Sequence, residues 1–532
     1  MKLLLSLILS SMASIAFAID LVPTPAHFEE QPGACVLPKN INVQVDEALK
    51  DAPAYLAHML RGTADVTINE PQKKVLISIS LVDSLPANAY TFVSNKQGIT
   101  IGAGALPGAV AAMSTLLQLL PPEALGQTPL KKLTLPCVTI RDEPRYAWRG
   151  LMMDVSRHFF DVDEIKQVLD LMALYKFSRF HWHLADNEGW RIEIKRYPEL
   201  TTKGAWRKYI WIDEECMRRC TAEQNEDYRL PAKHHRVVDG DTLYGGFFTQ
   251  DDIREVVRYA AARGIEVIPE IDMPGHFSTV SGIYGLSCQG KVNDAICPGR
   301  DDVMAFCKNI FSEIFELFPS KVIYIGGDEV NKTPWKTCPD CQRRIAEEGL
   351  QNEEELQAWF MRQMEVFFRV NGRHLMGWDE ITHDGLSSDA YIAYWRSSDK
   401  DGLGVGASDA MSYATSHGMH TMCCPTKCMY FDYPQDLSCM DRILAYDPLE
   451  GLSPQQQRFV LGLQANLWAE FIPSIGRLYY QALPRMFALA ESAWSQPETK
   501  SHTSGQLIEH LKPHLKRLKM LGIKPNPLIE EE

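Results

Sequence analysis

The chain lacks long apolar runs beyond its first twenty residues, and it lacks an excess of positive charge. No later stretch approaches the roughly 18 consecutive apolar residues that a membrane-spanning helix needs. The 532 residues carry a formal net charge of −14, which disfavours nucleic acid as a partner and favours solubility. Walker loops, G-x-S-x-G elbows and dinucleotide fingerprints after a strand are also missing, so we expect no cofactor.

The first residues carry the features of an export signal. Lys2 precedes the mostly apolar run Leu3 to Leu9, and a stretch of small residues ends in Ala16-Phe17-Ala18. These are a charged region, an apolar region and an A-x-A-like cleavage site, so we expect residues 1–18 to be a signal peptide. No cysteine stands at that site to anchor a lipoprotein. We therefore expect a periplasmic or secreted protein, or one in a lysosome-like compartment if it is eukaryotic.

Thirteen cysteines fit an exported protein. The pair Cys338-x-x-Cys341 has the spacing of zinc ligands, but no matching pair of Cys or His follows at the distance typical of a zinc finger. We therefore favour disulfides in loops and predict no metal site. The odd count leaves at least one thiol free or intermolecular.

The length predicts two or more domains. Residues 19–142 contain short strands and one helix but no obvious paired carboxylates or histidine clusters, which predicts a small α+β accessory domain. The predicted strands there are Asn42 to Val45, Val75 to Val82 and Gly98 to Ile101, and the predicted helix is Pro107 to Leu120.

Apolar runs alternate with amphipathic stretches in residues 143–500, and this rhythm predicts a (β/α)₈ TIM barrel, with a doubly wound sheet as the alternative. The eight predicted strands are Arg149 to Val155, Ser178 to Leu184, Ile265 to Ile271, Val322 to Gly326, His374 to Trp378, Tyr391 to Trp395, His420 to Cys423 and Val460 to Ala465. The clearest predicted helices are Asp163 to Tyr175, Gln250 to Arg263, Asp302 to Leu317, Glu353 to Val370 and Arg477 to Trp494. Residues 501–532 form a tail with one helix, Gly505 to Leu521, expected to pack on the barrel.

The ends of the predicted strands are rich in carboxylates and tryptophans, and barrel active sites lie at those ends. Flat apolar rings beside hydrogen-bonding acids suit a sugar, whose C–H face packs on the rings. The tryptophans concerned are Trp378, Trp395 and Trp468. His183 and His276 raise the possibility of a metal, which we rate lower because no compact third ligand is visible.

Strand four ends in Gly326-Gly327-Asp328-Glu329, and the two adjacent acids limit the mechanism. Glycosidases that use two carboxylates place them on opposite sides of the scissile bond. Neighbouring residues have Cα atoms only about 3.8 Å apart, so both acids would approach a sugar from one side. If Glu329 is the general acid, Asp328 is poorly placed as an opposing nucleophile. The nucleophile then comes either from another part of the site or from the substrate itself.

Several stretches together resemble the family 20 glycoside hydrolases, the β-N-acetylhexosaminidases. They run in the order of that family from about residue 145 to 495, and the N-terminal region resembles its accessory domain more loosely. The matching stretches are Arg149 to Phe159, His181 to Asp186, Pro269 to His276, Gly326 to Glu329, Gly377 to Glu380, Gln464 to Glu470 and Pro484 to Glu491.

The resemblance implies an exo-acting, retaining enzyme in which the 2-acetamido oxygen of the substrate attacks C1 and forms an oxazolinium ion. The substrates would be glycans or glycoconjugates that end in β-linked GlcNAc or GalNAc. Glu329 would be the acid and base, Asp328 would hold the acetamido N–H, and Tyr430 would bind its oxygen. The resemblance implies four other roles: Asp186 and His276 orient Glu329, Arg149 and Glu470 bind hydroxyls, Asp432 supports the leaving-group side, and Trp378, Trp395 and Trp468 wall the pocket.

One position departs from the family pattern, and two other functions stay open. Tyr324 stands where the family usually has His, two residues before Gly-Gly-Asp-Glu, and we expect altered surroundings rather than lost activity. The first alternative is a two-carboxylate barrel glycosidase acting on sugars without an acetamido group. The second is a non-catalytic sugar-binding protein, which we expect to lack Asp328 or Glu329.

Overall fold

A computed structural model describes residues 20–396 and 409–529 of the chain. The predicted signal peptide lies outside the described residues. A seven-stranded mixed sheet comes first, with strands in the order β1-β7-β5-β6-β4-β2-β3. Its strands are β1 (His27–Pro38), β2 (Asn40–Val45), β3 (Asp65–Ile68), β4 (Ile77–Leu81), β5 (Tyr90–Asn95), β6 (Gly98–Ala103) and β7 (Lys132–Asp142).

Helices α1 (Asp51–Leu60) and α2 (Leu106–Leu119) pack on one face of this sheet. Helix α2 is almost completely buried because its small and apolar residues contact the sheet on one side and the barrel on the other. Within β2 buried residues alternate with exposed ones towards the end of the strand, as expected where one face of a sheet is covered. The small α+β domain thus lies against the larger one.

A closed barrel of eight parallel strands follows, in the order β8-β9-β15-β16-β17-β18-β19-β20 and back to β8. This confirms the predicted barrel. The strands of this part of the chain, with five short ones in the loops, are β8 (Trp148–Asp154), β9 (Arg179–His183), β10 (Ala185–Asp186), β11 (Gly189–Trp190), β12 (Trp206–Arg207), β13 (His235–Val238), β14 (Asp241–Gly245), β15 (Glu266–Glu270), β16 (Val322–Gly326), β17 (His374–Trp378), β18 (Tyr391–Tyr394), β19 (His420–Cys423) and β20 (Val460–Leu467).

Helices surround the barrel, and local chemistry fixes where several of them begin. At the start of α3 the Asp161 carboxylate accepts from the Glu164 amide at 3.0 Å, and Glu164 accepts from the Asp161 amide at 2.9 Å. The helices are α3 (Val162–Leu174), α4 (Glu199–Thr202), α5 (Trp211–Ala222), α6 (Gln250–Ala261), α7 (Ser278–Tyr284), α8 (Asp301–Leu317), α9 (Pro339–Glu347), α10 (Glu353–Val370), α11 (Ala410–Ser416), α12 (Thr426–Met429), α13 (Leu437–Ala445), α14 (Pro454–Gln457), α15 (Ile475–Ala482), α16 (Arg485–Trp494) and α17 (Ser504–Met520).

Two predictions about secondary structure and covalent bonding are wrong. The single helix predicted from Arg477 to Trp494 is divided into α15 and α16, because Pro484 has no N–H to continue a helix and disfavours helical backbone at Leu483. The predicted disulfides are also not present. None of the thirteen cysteines forms a disulfide in the structure, and all are buried.

The end of the accessory domain is bonded into the base of the barrel. Asp142, the last residue of β7, accepts from Lys176 Nζ at 2.8 Å and from Trp494 Nε1 at 3.0 Å. Tyr90 of β5 also donates to Asp142, at 2.7 Å. The tail helix α17 packs against α13 and against the turn at residues 122–125. None of the described helices is long and apolar enough to cross a lipid bilayer.

Candidate active site

The break after β16 turns both acids of the Asp-Glu pair towards one cavity. Gly326 and Gly327 have φ angles of +77° and +96°, in the region that favours glycine. A Cβ atom on Gly326 would lie 1.8 Å from Oδ1 of Asp272, which also accepts from the Gly327 amide at 3.3 Å. Glu329 has a φ of +48°, so the chain continues to turn after the strand. The sequence therefore needs both glycines for close approach and for backbone direction.

Asp328 is a buried carboxylate with one oxygen available to a ligand. Its side chain lines the cavity, and Oδ1 has no hydrogen-bond partner among the described residues. Burial raises the pKa of Asp328 to about 7, and the neighbouring carboxylates of Glu380, Glu270 and Glu329 add to that effect while His276 opposes it. A buried, unpaired acceptor of this kind suits a donor supplied by a ligand.

His276 lies between the two acids. Its Nε2 atom is 3.6 Å from Oδ2 of Asp328 and 3.7 Å from Oε2 of Glu329. In contrast to Asp328, the Glu329 side chain is 62% exposed, so its carboxyl group reaches the open part of the cavity. The neighbouring acids thus have different surroundings, and one histidine contacts both.

A series of charged side chains holds His276 in place through Nδ1, the ring nitrogen that does not face the two acids. Its Nδ1 atom lies 3.1 Å from Oδ1 of Asp186, whose Oδ2 is 2.8 Å from Nη2 of Arg157 and 3.0 Å from Nε2 of His183. Burial opposes ionisation of Asp186, but Arg157 and His276 outweigh it and hold the pKa of Asp186 well below its usual range. Burial likewise disfavours the cationic form of His276, but Asp186 and Asp328 raise the pKa of His276 well above its usual value.

Aromatic rings form the walls of the cavity. The rings of Trp395 and Tyr430 are stacked with centroids 6.0 Å apart, and Trp468 lies 6.3 Å from Tyr430. Trp378 lies beneath them and is only 1% exposed, with Nε1–H donating to Glu270 at 2.9 Å. The rings would contact the apolar face of a sugar, and Trp378 supports the floor on which they stand.

The cavity has a volume of about 790 Å³, sufficient for a sugar unit with part of its neighbour. Nine of the eleven predicted site residues line it, namely Asp186, His276, Asp328, Glu329, Trp395, Tyr430, Asp432, Trp468 and Glu470. Asp432 and Glu470 provide acids on the far wall. Burial and the charge of Glu470 raise the pKa of Asp432 to about 7.

Comparison with known proteins assigns the family. The profile described as "Glycosyl hydrolase family 20, catalytic domain" matches residues 146–497, and "Glycosyl hydrolase family 20, domain 2" matches residues 18–143. The chain belongs to glycosyl hydrolase family 20. The two matched regions correspond to the barrel and to the sheet domain that precedes it.

Family 20 relatives resemble the chain over most of its length. A β-hexosaminidase of Porphyromonas gingivalis is 35% identical over 513 residues, which cover 90% of this chain and 60% of that protein. The chain therefore spans less than two thirds of that relative's length. A crystal structure of a family 20 exo-β-N-acetylglucosaminidase from Vibrio harveyi, in complex with N-acetylglucosamine, superimposes with a TM-score of 0.80 at 29% identity and covers 96% of this chain and 79% of that one.

A third family 20 protein matches the chain nearly from end to end. The β-N-acetylhexosaminidase of Bacteroides fragilis has a TM-score of 0.79 at 27% identity, and the match covers 96% of this chain and 97% of that one. The two-domain arrangement is thus shared with solved members of the family.

Arg149 does not lie in the family 20 cavity, contrary to the prediction from sequence. It is the second residue of β8, at the end of the barrel opposite the cavity, and its guanidinium donates to the carbonyls of Lys176 and Tyr146 at 2.8 and 2.7 Å. Arg157, just beyond the carboxyl end of β8, lines the cavity instead, as do Arg219 from α5 and Arg477 from α15. The rule that barrel sites form at strand ends already favours Arg157, since Arg149 is near the start of its strand.

Trp378 is the second predicted residue that does not line the open cavity, because it is covered by the other aromatic rings. Its partner Glu270 had no predicted role. A similar support exists for Trp395, whose Nε1–H donates to Glu380 at 2.9 Å. Glu380 belongs to the sequence Trp378-Asp379-Glu380 at the end of β17. The sequence contains a signal for both supporting acids, since Glu270 ends strand β15 and Glu380 follows strand β17.

Tyr324, at the position that departs from the family pattern, points into the barrel. Its ring stacks on His181 with centroids 4.4 Å apart and lies 5.2 Å from Trp378. It is fully buried, and its hydroxyl has no hydrogen-bond partner among the described residues. The residue thus occupies the layer beneath the cavity floor.

Proposed function

We propose that the chain is an exo-acting β-N-acetylhexosaminidase that removes terminal β-linked GlcNAc or GalNAc from glycans by a retaining, substrate-assisted mechanism. The observation that carries this proposal is the contrast between the adjacent acids. Asp328 is buried with an unpaired oxygen, Glu329 is exposed, and His276 contacts both. Two adjacent acids on one side of a sugar cannot flank its anomeric carbon, and membership of family 20 supports the acetamido group of the substrate as the nucleophile.

In the first step the acetamido oxygen attacks C1 while Glu329 protonates the departing glycosidic oxygen. Asp328 accepts a hydrogen bond from the acetamido N–H and stabilises the positive charge that develops on the oxazolinium ring. Tyr430, whose side chain lines the same cavity, donates to the acetamido oxygen and orients it.

In the second step Glu329, now a carboxylate, accepts a proton from water as that water attacks C1 and opens the oxazolinium ring. The two inversions at C1 give net retention. His276 is a positioning residue, because it contacts both acids and is itself bonded to Asp186.

The exo mode of action is supported by the charged end of the cavity. Arg157 and Glu470 both line it, with Nη2 of Arg157 3.9 Å from Oε1 of Glu470. Such a pair suits the hydroxyls of a terminal sugar, since guanidinium donates and carboxylate accepts. Asp432 supports the leaving-group side.

Export of the protein stays a proposal that rests on Lys2, the apolar run after it and Ala16-Phe17-Ala18. The measurement is the N-terminal sequence of the mature protein, where we expect residues 19 onwards.

A panel of nitrophenyl sugars tests the proposed chemistry. We expect cleavage of the β-GlcNAc and β-GalNAc derivatives and inhibition by a thiazoline analogue of the oxazolinium ion. Cleavage of the β-glucoside, which has no acetamido group, would instead support the two-carboxylate alternative.

The variant Glu329→Gln tests the acid role. We expect it to slow poor leaving groups far more than an activated nitrophenyl group, because only the former need protonation. Equal losses on both classes of substrate would contradict this role.

A further inference from the structure

Four cysteines from two neighbouring loops come together beside the active site. Cys288 and Cys297 lie in the loop that follows α7. Cys338 and Cys341 lie at the start of α9, the helix that ends the loop after Glu329. All four are buried, and their sulfur atoms lie within 4.8 Å of one another. The Cys338-x-x-Cys341 pair therefore has its partners before it in the chain, rather than after it.

Three of the six sulfur–sulfur distances are close to those of a tetrahedral site with four sulfur ligands. The Sγ atoms of Cys297 lie 3.6 Å from Cys338 and 3.5 Å from Cys341, and Cys288 lies 3.6 Å from Cys341. With Zn–S bonds of about 2.3 Å, the sulfurs of a tetrahedral zinc site are about 3.8 Å apart. A four-iron cluster would hold the sulfurs farther apart, because the iron–sulfur cube occupies the space between them.

The contacts do not favour any particular disulfide pairing. Cys297 is almost equally close to Cys338 and Cys341, and Cys341 is almost equally close to Cys297 and Cys288. A disulfide would require one partner at about 2.05 Å. Shared contacts among four sulfurs are expected instead when all four face one ion.

The backbone around the cluster supplies the surroundings that thiolate ligands need. The backbone of Gly299 lies close to the sulfur atoms of both Cys297 and Cys341. A Cβ atom on Gly299 would lie 2.3 Å from the carbonyl carbon of Asp340, so the two loops meet backbone to backbone. Amide donors to ligating sulfurs orient them and offset their negative charge.

We propose that Cys288, Cys297, Cys338 and Cys341 form a structural site for a single tetrahedral Zn²⁺ ion. Four protein thiolates fill the coordination sphere, so the ion has no open position for a substrate or a water molecule. The site is separate from the sugar cavity and takes no part in bond cleavage.

The ion would hold the two loops that carry the acid pair and its histidine. The His276 amide donates to Asp294 at 3.0 Å, and the Ile296 amide donates to the Pro274 carbonyl at 3.0 Å. Trp335, from the loop after Glu329, donates through Nε1 to the Ile296 carbonyl at 2.9 Å. These two segments have little regular secondary structure, and metal binding contributes its free energy to their folded form.

Metal analysis of the full chain tests the proposal. Elemental mass spectrometry of protein purified in metal-free buffer is expected to find about one zinc per chain. Replacement by Co²⁺ is expected to give the intense charge-transfer and visible absorption of a tetrahedral tetrathiolate. A chain without metal, with four free thiols or with disulfide-linked peptides, would overturn the proposal, and so would iron in place of zinc.

Variants locate the ion at these four residues. Cys341→Ser is expected to lower bound zinc by about tenfold or more, and the same holds for Cys297→Ser. The matched control is Cys307→Ala, a buried cysteine of the adjacent helix α8 outside the cluster, which should keep its zinc. Full zinc content in both serine variants would contradict the assignment. If neither variant folds, the zinc and cobalt measurements on the unaltered chain decide.

Discussion

The two ends of the barrel each hold an arginine from the same motif, eight positions apart, and use it differently. At the carboxyl end Arg157 lies among the carboxylates of Asp154, Asp186 and Glu188, with the ring of Trp468 5.1 Å from its guanidinium carbon. At the opposite end Arg149 donates to backbone carbonyls and lies 4.9 Å from the ring of Trp494. Arg157 belongs to a network of charged side chains, whereas Arg149 binds the backbone at the base of the barrel.

The electrostatics follow this difference. Burial lowers the pKa of Arg149 to about 9, with Arg179 nearby adding to the effect. Burial acts on Arg157 as well, but Asp186 and Asp154 outweigh it and raise the pKa of Arg157. Position along the barrel strand therefore decides whether a residue serves chemistry or stability. The predictions below test that division.

The largest expected effect is that of Asp328→Asn at the carboxyl end. In the proposed mechanism the charge of Asp328 stabilises the oxazolinium ion, so its loss should lower kcat/KM about 10³-fold, while circular dichroism and the Tm indicate an intact fold. The matched control is Asp384→Asn, a half-buried carboxyl outside the cavity whose pKa is also raised to about 7 by burial. Near-normal activity of Asp328→Asn would remove this residue from the mechanism.

Arg157→Met should have the next largest effect. It removes the donor to Asp186 and the group proposed to bind the hydroxyls of the substrate, so kcat/KM should fall about 100-fold. Kinetics on the nitrophenyl β-GlcNAc substrate measure this loss. If Arg157→Met had no kinetic effect while Arg149→Met did, the division between the two ends would be reversed.

Arg149→Met should instead act on stability. The carbonyls of Lys176 and Tyr146 lose a buried donor, so the free energy of unfolding should fall by about 2 kcal/mol. In chemical denaturation the midpoint moves to lower denaturant concentration, and kcat/KM of the folded protein stays within about threefold of normal. A large kinetic defect with unchanged stability would contradict this expectation.

The smallest expected effect is in the layer between the two ends. Tyr324→Phe removes a buried hydroxyl that has no partner among the described residues, so stability should rise by up to about 1 kcal/mol. Activity should stay within about twofold, since the ring stacked on His181 is retained. A marked loss of activity would mean that the hydroxyl acts on the cavity floor.

The barrel was predictable because its strands are apolar runs that end at glycines or acids. Strands β16, β17 and β19 have the predicted bounds, and most others differ by one or two residues. The break at Pro484 was visible in the sequence, but the amphipathic pattern on both sides suggested one helix. Nine of the eleven predicted site residues line the cavity, and they stand at or just beyond the ends of barrel strands. Arg149 was assigned to the site from the family resemblance, although it stands near the start of its strand.

The cysteine cluster could not be predicted in the same way. Its members are separated by 40 residues between Cys297 and Cys338, and they lie on loops whose approach depends on β15 and β16 being neighbours in the barrel. Composition alone suggested disulfides. Only the arrangement of the two loops in space brings the four sulfurs together.

The hydrogen bonds of Asp142 to Lys176 and Trp494 have a consequence for the thermal unfolding of the protein. Arg149 and Lys176 both lie over the Trp494 ring, so the accessory domain supplies the counter-ion of a cationic cluster at the base of the barrel. Loss of the sheet domain would remove the carboxylate partner of Lys176 and uncover the apolar surface of α3 on which α2 packs. We therefore expect a single calorimetric endotherm for the unfolding of both domains. A barrel expressed without residues 19–142 should aggregate rather than fold and unfold cooperatively on its own.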